Sequence, residues 1–217
     1  MNIAIDTRWI FRNLSGIGVY TRELIRRLPG LDRRQRYTLL FDDPLVRDRT
    51  LAETGLADAP NVVSVLLPYG VFSVRSQLCL GRALAARGVR VFHSPNYLLP
   101  FPAFPRRGGR LRAVVTMHDV IPLALPDHAP KSRKARVLPL FRRLLIEAVR
   151  RAQAVITISQ HSRADIVRLL RLSPDQAQKV HVVYAGVSER FTPAPAARPK
   201  SPQEPRIVLY VGRSDPY

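Results

Sequence analysis

Residues 154–170 have the sequence AVITISQHSRADIVRLL, in which a strand pattern passes directly into a helix pattern. The first five residues are apolar or β-branched, which is typical of a buried strand, and apolar residues then recur at helical spacing as far as Leu170. Ser159 stands at the junction, where its hydroxyl group can accept a hydrogen bond from a free backbone amide and so begin the helix. Another apolar run follows at 180–184. The stretch therefore predicts a strand–helix–strand unit.

The same alternation continues through the rest of the chain. Strands that alternate with helices form parallel sheets covered by helices on both faces. We therefore predict an α/β fold, a Rossmann-like doubly wound parallel sheet, that fills residues 1–187. Apolar runs predict its other strands at 3–6, 37–41, 62–67, 89–92 and 111–117, and helical periodicity predicts helices at 19–28, 74–86 and 140–152, the first ended by Pro29 and Gly30.

The chain changes character after residue 187. Five prolines between 192 and 205 predict an extended linker, which we assign to residues 188–205. Residues 206–217 contain the apolar run IVLYV and then a loop. One strand has no sheet of its own, so we interpret 206–217 as the first strand of a second α/β domain that would continue beyond Tyr217. The alternative is that this strand pairs with the edge of the first sheet.

Composition narrows the classes of function. The chain has 35 lysine and arginine residues against 16 acidic ones, a formal charge of +19, which predicts an anionic partner: nucleic acid, a membrane surface or a phosphorylated substrate. The alternative is a bias toward arginine spread over a solvated surface. The single cysteine, Cys79, excludes a disulfide framework and a thiolate zinc site. No signal-peptide pattern and no run of about 20 apolar residues is visible, so we expect a cytoplasmic protein.

Residues directly after the predicted strands are the first candidates for a site, because open α/β sheets bind ligands at the carboxyl ends of their strands. The loop Ser15-Gly16-Ile17-Gly18 precedes a helix, and its backbone amides and the positive helix end suit a phosphate group. A dinucleotide-binding motif, and with it an NAD(P)-dependent oxidoreductase, is one interpretation. However, the third glycine of that motif is Thr21 here, and Gly16 lies ten residues after Asp6 instead of next to the strand. Alternatively, the two glycines only turn the chain into a helix.

Candidate residues also follow three other predicted strands. His118 and Asp119 follow a strand that is apolar on both faces, and a neutral imidazole there can exchange a hydrogen bond with a sugar hydroxyl. Alternatively, His118 caps the strand end by bonding to backbone carbonyls. For His93 and Asn96, local hydrogen bonds within the loop are the alternative to a ligand contact. Ser159 is first a helix cap and only second a ligand contact.

Other chemistries lack their sequence motifs. No HxH, HExxH or Asp-x-Asp motif occurs and the five histidines are scattered, so neither a metal site nor a metal cofactor is predicted. No GxSxG and no GxxxxGK[ST] motif occurs, which excludes a nucleophile-elbow hydrolase and a P-loop nucleotidase.

Six segments together resemble the amino-terminal half of the family 4 glycosyltransferases. In chain order they are MNIAIDTR, SGIGVYTRELIRRL, VVTMHDVIPL, AVITISQHSRADI, VHVVYAGV and IVLYVGRSDPY. The resemblance covers essentially all of the chain and implies the GT-B architecture, in which two Rossmann-like domains face each other across a cleft. It makes this chain the acceptor-side domain. The implied reaction moves a hexose, such as mannose, from a nucleotide-sugar to a lipid-linked or polysaccharide acceptor, with retention of configuration and without a metal.

The resemblance also implies roles for the candidate residues. The loop 15–18 is expected to face the donor diphosphate, and His118, with Asp119 beside it, is expected to bond an outer hydroxyl of the donor sugar. His93, Asn96 and Ser159 are possible donor or acceptor contacts. In the family a second domain carries a basic pair and a Glu-x7-Glu motif that hold the donor. That domain is absent from the sequence, so we expect this chain alone not to transfer sugar at a useful rate.

The alternative from another class is a non-catalytic basic binding module. Nucleic-acid modules interleave aromatic residues with basic ones for stacking, and the basic runs at 26–27 and 33–34 lack them, so no nucleic acid is expected. An anionic membrane surface is compatible with an enzyme, since residues 131–151 carry eight basic residues and one acid among apolar ones. The same composition also fits a helix whose apolar face packs on the sheet and whose basic face is solvated.

Overall fold

The computed structural model describes residues 1–125, 138–188 and 191–192. The predicted strand at 206–217 and all but three residues of the predicted linker at 188–205 lie outside these ranges, so both stay predictions. The segment 131–137, the first part of the basic stretch, also lies outside them.

Seven parallel strands form one sheet within the described residues, which confirms the predicted fold class. The strand order is β3-β2-β1-β4-β5-β6-β7, so the chain builds outward from β1 to β3 and then returns to add β4 on the other side of β1. This is the doubly wound arrangement of Rossmann-like domains. The strands are β1 Asn2–Ile5, β2 Arg36–Phe41, β3 Val62–Leu66, β4 Val91–Ser94, β5 Arg112–Thr116, β6 Ala154–Thr157 and β7 Val180–Val182.

Helices cover both faces of the sheet. Right-handed connections place helices on one face while the strands progress from β1 to β3, and on the other face after the direction reverses at β4. They are α1 Gly16–Leu31, α2 Pro44–Thr54, α3 Val74–Ala85, α4 Ile121–Ala124, α5 Leu138–Arg151, α6 Gln160–Leu170 and α7 Pro174–Gln178, with 3-10 turns at Thr7–Trp9 and Phe101–Ala103. No helix within the described residues is long and apolar enough to cross a bilayer.

The core is divided by the sheet into two apolar clusters. On one face, side chains of α1 and α2 such as Ile25 and Val46 pack on Leu39 of β2. On the other face, side chains of α3, α5 and α6 pack on β4, β5 and β6, as Leu145 of α5 and Val115 of β5 illustrate. Burial on both faces explains why most of the strands are continuous apolar runs.

The predicted bounds of the first helix are wrong at both ends. Helix α1 begins at Gly16 rather than 19, because Ser15 caps it, and it continues through Pro29 to Leu31. Pro29 lies in the last turn, where its missing N–H costs one backbone hydrogen bond. Pro29 is buried, and its backbone carbonyl accepts a hydrogen bond from the Asn61 side chain at 3.0 Å.

Helix α2 is absent from the prediction, although its sequence carries two local signals. Asp43 caps its first turn by accepting from the amides of Leu45 and Val46, and Pro44 occupies the first helical position. Gly55 ends the helix with a φ of 68°, a left-handed conformation that favours glycine. The pair Asp43-Pro44 marks a helix start as well as a strand end.

Candidate active site

The candidate site lies where the strand order reverses, between β1 and β4. Because β1 pairs with β4 and β4 pairs with β5, the residues that follow these three strands share one edge of the sheet. Ligands of doubly wound sheets bind in the crevice at this reversal point. Helix α1 begins close to the same edge, because its residue Tyr20 contacts Thr116 and His118, which end and follow β5.

The two glycines of the loop 15–18 differ in their surroundings. A Cβ atom on Gly18 would lie 3.3 Å from the Trp9 carbonyl oxygen and 3.4 Å from the Leu14 side chain, so packing alone favours glycine there. A Cβ atom on Gly16 would meet nothing within 4 Å. Ser15 closes the loop, since its Oγ accepts from the Gly18 amide at 3.2 Å. The exposed backbone at Gly16 is therefore the part of the loop that a ligand can approach, and its contact with a diphosphate stays a prediction.

His118 lies at the carboxyl edge of the sheet and bonds to a backbone carbonyl. Its Nε2 donates to the oxygen of Pro95, in the loop after β4, at 3.0 Å. The hydrogen bond that a strand-capping role requires is therefore present, but it uses only one of the two ring nitrogens. The Tyr20 ring meets the imidazole edge-on, with centroids 4.9 Å apart and planes at 89°. Burial lowers the pKa of His118 below its ordinary value, against the opposing influence of the Pro95 carbonyl and Asp119, so the neutral form is favoured.

Beneath His118, one buried hydroxyl group connects two further side chains. The Oγ1 atom of Thr116 lies 2.9 Å from Nε2 of His93 and 3.3 Å from the Tyr20 hydroxyl. His93 is only 7% exposed. Burial, and secondarily the charge of protonated His118, lower the pKa of His93 to about 4. Burial also raises the pKa of Tyr20. Both side chains are therefore uncharged at neutral pH.

The remaining predicted residues shape loops and helix ends. Asn96 is buried and accepts through Oδ1 from the Tyr97 amide at 2.7 Å. Asp119 is exposed, and its Oδ1 accepts from the Ile121 amide at 3.1 Å, at the start of α4. Ser159 accepts from the Ser162 amide at 3.0 Å, which confirms the helix-cap interpretation. Ligand contacts by His93, Asn96 and Ser159, and a catalytic role of Asp119, stay predictions.

A buried ion pair beside the site was not predicted from the sequence. Arg8 follows β1, and its Nε and Nη2 donate to the two carboxylate oxygens of Asp6 at 2.7 and 2.8 Å. The Nη1 atom donates to Ser76 Oγ at 3.0 Å. Burial opposes the charge on Arg8, but the hydrogen bond and the charge of Asp6 raise its pKa. The Asp6 amide also donates to the His93 carbonyl at 2.9 Å, which connects the pair to the site.

Tyr20 and Thr116 are the site residues that sequence reasoning missed. Tyr20 lies within the predicted helix at 19–28 and Thr116 within the predicted strand at 111–117, and neither pattern indicates a site residue. Over the ranges that the structure covers, no group of three or more His, Cys, Asp or Glu side chains could hold a metal ion.

Comparison with known proteins identifies the family of the chain. The O-antigen chain mannosyltransferase B of Escherichia coli is 27% identical to the chain over 185 residues. The alignment covers 81% of this chain and 45% of that protein, so the chain spans about half the length of this relative. The sequence model of the family described as Glycosyltransferase Family 4 matches residues 14–191, most of the chain. With its seven-stranded Rossmann-like domain, the chain therefore belongs to Glycosyltransferase Family 4.

Proposed function

We propose that this chain is the acceptor-side domain of a retaining glycosyltransferase that moves a hexose from a nucleotide-sugar to a lipid-linked or polysaccharide acceptor. Mannose is the first candidate for the hexose, because the Escherichia coli relative is named as a mannosyltransferase. The observation that carries the proposal is the position of His118 at the strand-order reversal, beside the first turns of α1, within a family 4 domain. The proposed reaction uses no metal ion.

The start of α1 is suited to the charge that develops on the departing diphosphate. The amino-terminal end of a helix carries about half a positive charge, and its first amides have no partner within the helix. At Gly16 the backbone is open to an approaching group. Fixed dipoles of this kind stabilise a developing negative charge without having to reorient during the reaction. In the proposal, a second domain supplies the remaining donor contacts.

His118 and Asp119 are proposed to act on the donor sugar. A hydrogen bond between the uncharged imidazole and an outer hydroxyl orients the sugar, and it matters most as the sugar ring gains positive charge in the transition state. Asp119 lies next in the chain and is exposed at the same edge, where a carboxylate stabilises such a charge.

Replacing His118 by alanine tests the proposal. In a version that includes a second domain we expect kcat/KM for transfer from the nucleotide-sugar to fall roughly ten- to a hundredfold, because a hydrogen bond worth about 1.5 to 3 kcal/mol is lost in the transition state. The melting temperature should fall by no more than a few degrees, since the variant loses one hydrogen bond to Pro95 and one ring contact with Tyr20. Exposed His161, replaced in the same way, is the control. A fall in melting temperature with normal turnover would instead assign His118 a structural role.

An anionic membrane surface is proposed as a further partner, bound through charge rather than insertion. Phe141, Leu145 and Val149 of α5 are buried in the core, so the apolar face of this helix is already covered. Arg143 and Leu140 remain exposed near its start. This arrangement leaves basic residues exposed on a chain whose formal charge is +19.

Vesicle sedimentation tests this partner. We expect binding to vesicles with anionic lipid, weaker binding to neutral ones, and loss of binding as salt shortens the screening length below about 8 Å. Each basic residue near such a surface contributes ~1 kcal/mol, so Arg143→Glu should weaken binding about fivefold or more. The control is Arg33→Glu, which makes the same change in charge in the turn between α1 and β2 and should weaken binding less. Equal sedimentation with both vesicle types would rule out the membrane partner.

A further inference from the structure

The buried hydrogen bonds around Thr116 join three elements of the fold. Thr116 belongs to β5, His93 to β4 and Tyr20 to α1, and the single Oγ1 atom contacts both partners. Thr116 is fully buried in the sheet, so the packing around it holds its hydroxyl group in one position. The end of the Tyr20 side chain is therefore anchored to the sheet, while its ring lies against His118.

We propose that Tyr20 is a positioning residue for His118, and that the histidine it positions offers Nδ1 as a hydrogen-bond acceptor to a hydroxyl group of the ligand. The inference rests on the proposed function. It adds the direction of the hydrogen bond and the side chain that maintains it.

The contact with Pro95 fixes that direction. A carbonyl oxygen only accepts hydrogen bonds, so the Nε2 atom 3.0 Å from it carries the proton. A neutral imidazole has one N–H group, and Nδ1 therefore keeps a free lone pair. No hydrogen bond to Nδ1 is found within the described ranges. A ligand that bonds at Nδ1 must supply a donor, which a sugar hydroxyl does and a fluorine substituent does not.

The contact with Tyr20 fixes the orientation of the ring. Rotation of a histidine ring about χ2 is broad and roughly two-fold, so a half turn exchanges nitrogen and carbon positions at little intrinsic cost. The edge-on Tyr20 ring restricts this rotation on one side. Without its bond to Thr116, the Tyr20 side chain could withdraw, and the Nε2–Pro95 bond would lose its support. Both tautomers of His118 would then be populated.

Nitrogen NMR of the histidine-labelled chain tests the proposal without substrate. At neutral pH we expect His118 to show a protonated Nε2 and an unprotonated Nδ1. In Tyr20→Phe, which keeps the ring and removes the hydroxyl, the two nitrogen signals should move toward a common averaged position. Tyr184→Phe changes an exposed tyrosine after β7 and should leave them unchanged. A protonated Nδ1 in the unmodified chain, or an unchanged pattern in Tyr20→Phe, would overturn the inference.

Thr116 provides a second pair of variants in case Tyr20→Phe does not fold. Thr116→Val removes the hydroxyl that anchors Tyr20, and Thr116→Ser retains it. We expect averaged His118 signals in the valine variant and the original pattern in the serine variant. Identical spectra in the two variants would contradict the inference. A simple loss of packing would give the opposite result, because valine keeps the methyl group of threonine and serine lacks it.

The NMR test of the His118 tautomer and the activity test of the proposed function can succeed or fail separately. If the His118 tautomer is fixed as described but His118→Ala leaves transfer unchanged, the glycosyl-transfer role of His118 fails and the positioning by Tyr20 stands. If His118→Ala lowers transfer but the tautomer is mixed, the role stands and the direction of its hydrogen bond does not.

Discussion

Replacing Arg8 by methionine is expected to lower the free energy of unfolding by about 3–5 kcal/mol, the range measured when one partner of a buried ion pair is removed. Arg8 and Asp6 are 1% and 2% exposed, and the two groups share two short hydrogen bonds. In the variant, the Asp6 carboxylate would stay buried with only a 3.4 Å contact from the backbone amide of residue 8. Denaturant unfolding followed by circular dichroism measures the loss.

A surface pair in the same chain provides the control. Arg12 and Asp43 are also joined at 2.7 Å, but the Arg12 side chain is 70% exposed. Water already solvates both groups, so Arg12→Met should cost several times less than Arg8→Met. Asp6→Asn combined with Arg8→Met, which leaves no unpaired charge, should recover part of the loss. Equal effects of the two methionine variants would mean that burial does not govern the Asp6–Arg8 pair.

Acidification from pH 6.5 to 4 is expected to reduce stability by about 3 kcal/mol through His93 alone. The unfolded chain binds a proton at this residue below its ordinary pKa of 6.5, whereas burial lowers the pKa in the folded chain to about 4. Between these values the unfolded state holds more protons, so the free energy of unfolding falls as the pH falls. Below pH 4 both states are protonated and the contribution is fully lost.

A difference between two stability curves isolates His93 from its neighbours. The lowered pKa of His118 also reduces the free energy of unfolding as the pH falls. The hydrogen bond to Arg106 is the main cause that lowers the pKa of Glu147 to about 2, so the contribution of Glu147 to stability is lost at more acidic pH. Tyr20 does not titrate in this range. His93→Gln should flatten the pH dependence of the free energy of unfolding between pH 6.5 and 4. Parallel curves for His93→Gln and the unmodified chain would refute the assignment.

Local sequence was sufficient for the strands and for the position of His118. Runs such as residues 113–117 are apolar on both faces, as a buried parallel strand requires, and the next polar residue must leave the sheet at its carboxyl end. The helix cap at Ser159, which was predicted, follows from side-chain chemistry within four residues. Such features depend on neighbours along the chain, so they are visible before the fold is known.

The partners of His118 were not predictable in this way. The Tyr20 hydroxyl contacts Thr116, which lies 96 residues away in sequence, and His93 contacts Thr116 from 23 residues away. A tyrosine at an apolar helical position reads as core, and nothing nearby in the sequence indicates which hydroxyl it will bond. The Asp6–Arg8 pair is close in sequence, but two charges after a strand usually indicate an exposed loop. Its burial depends on Ser76 and on the Tyr69 carbonyl, contributed by a distant part of the chain.

The strand order divides the domain into two consecutive pieces of chain. Strands β1 to β3 are complete by residue 66, strands β4 to β7 begin at residue 91, and the pairing of β1 with β4 is the strand contact that joins them within the described residues. During synthesis the first three strands precede β4, so the edge of β1 that pairs with β4 has no partner until β4 is made. An unpaired sheet edge is a template for pairing with another chain, so a chain that ended before β4 would expose β1 in this way.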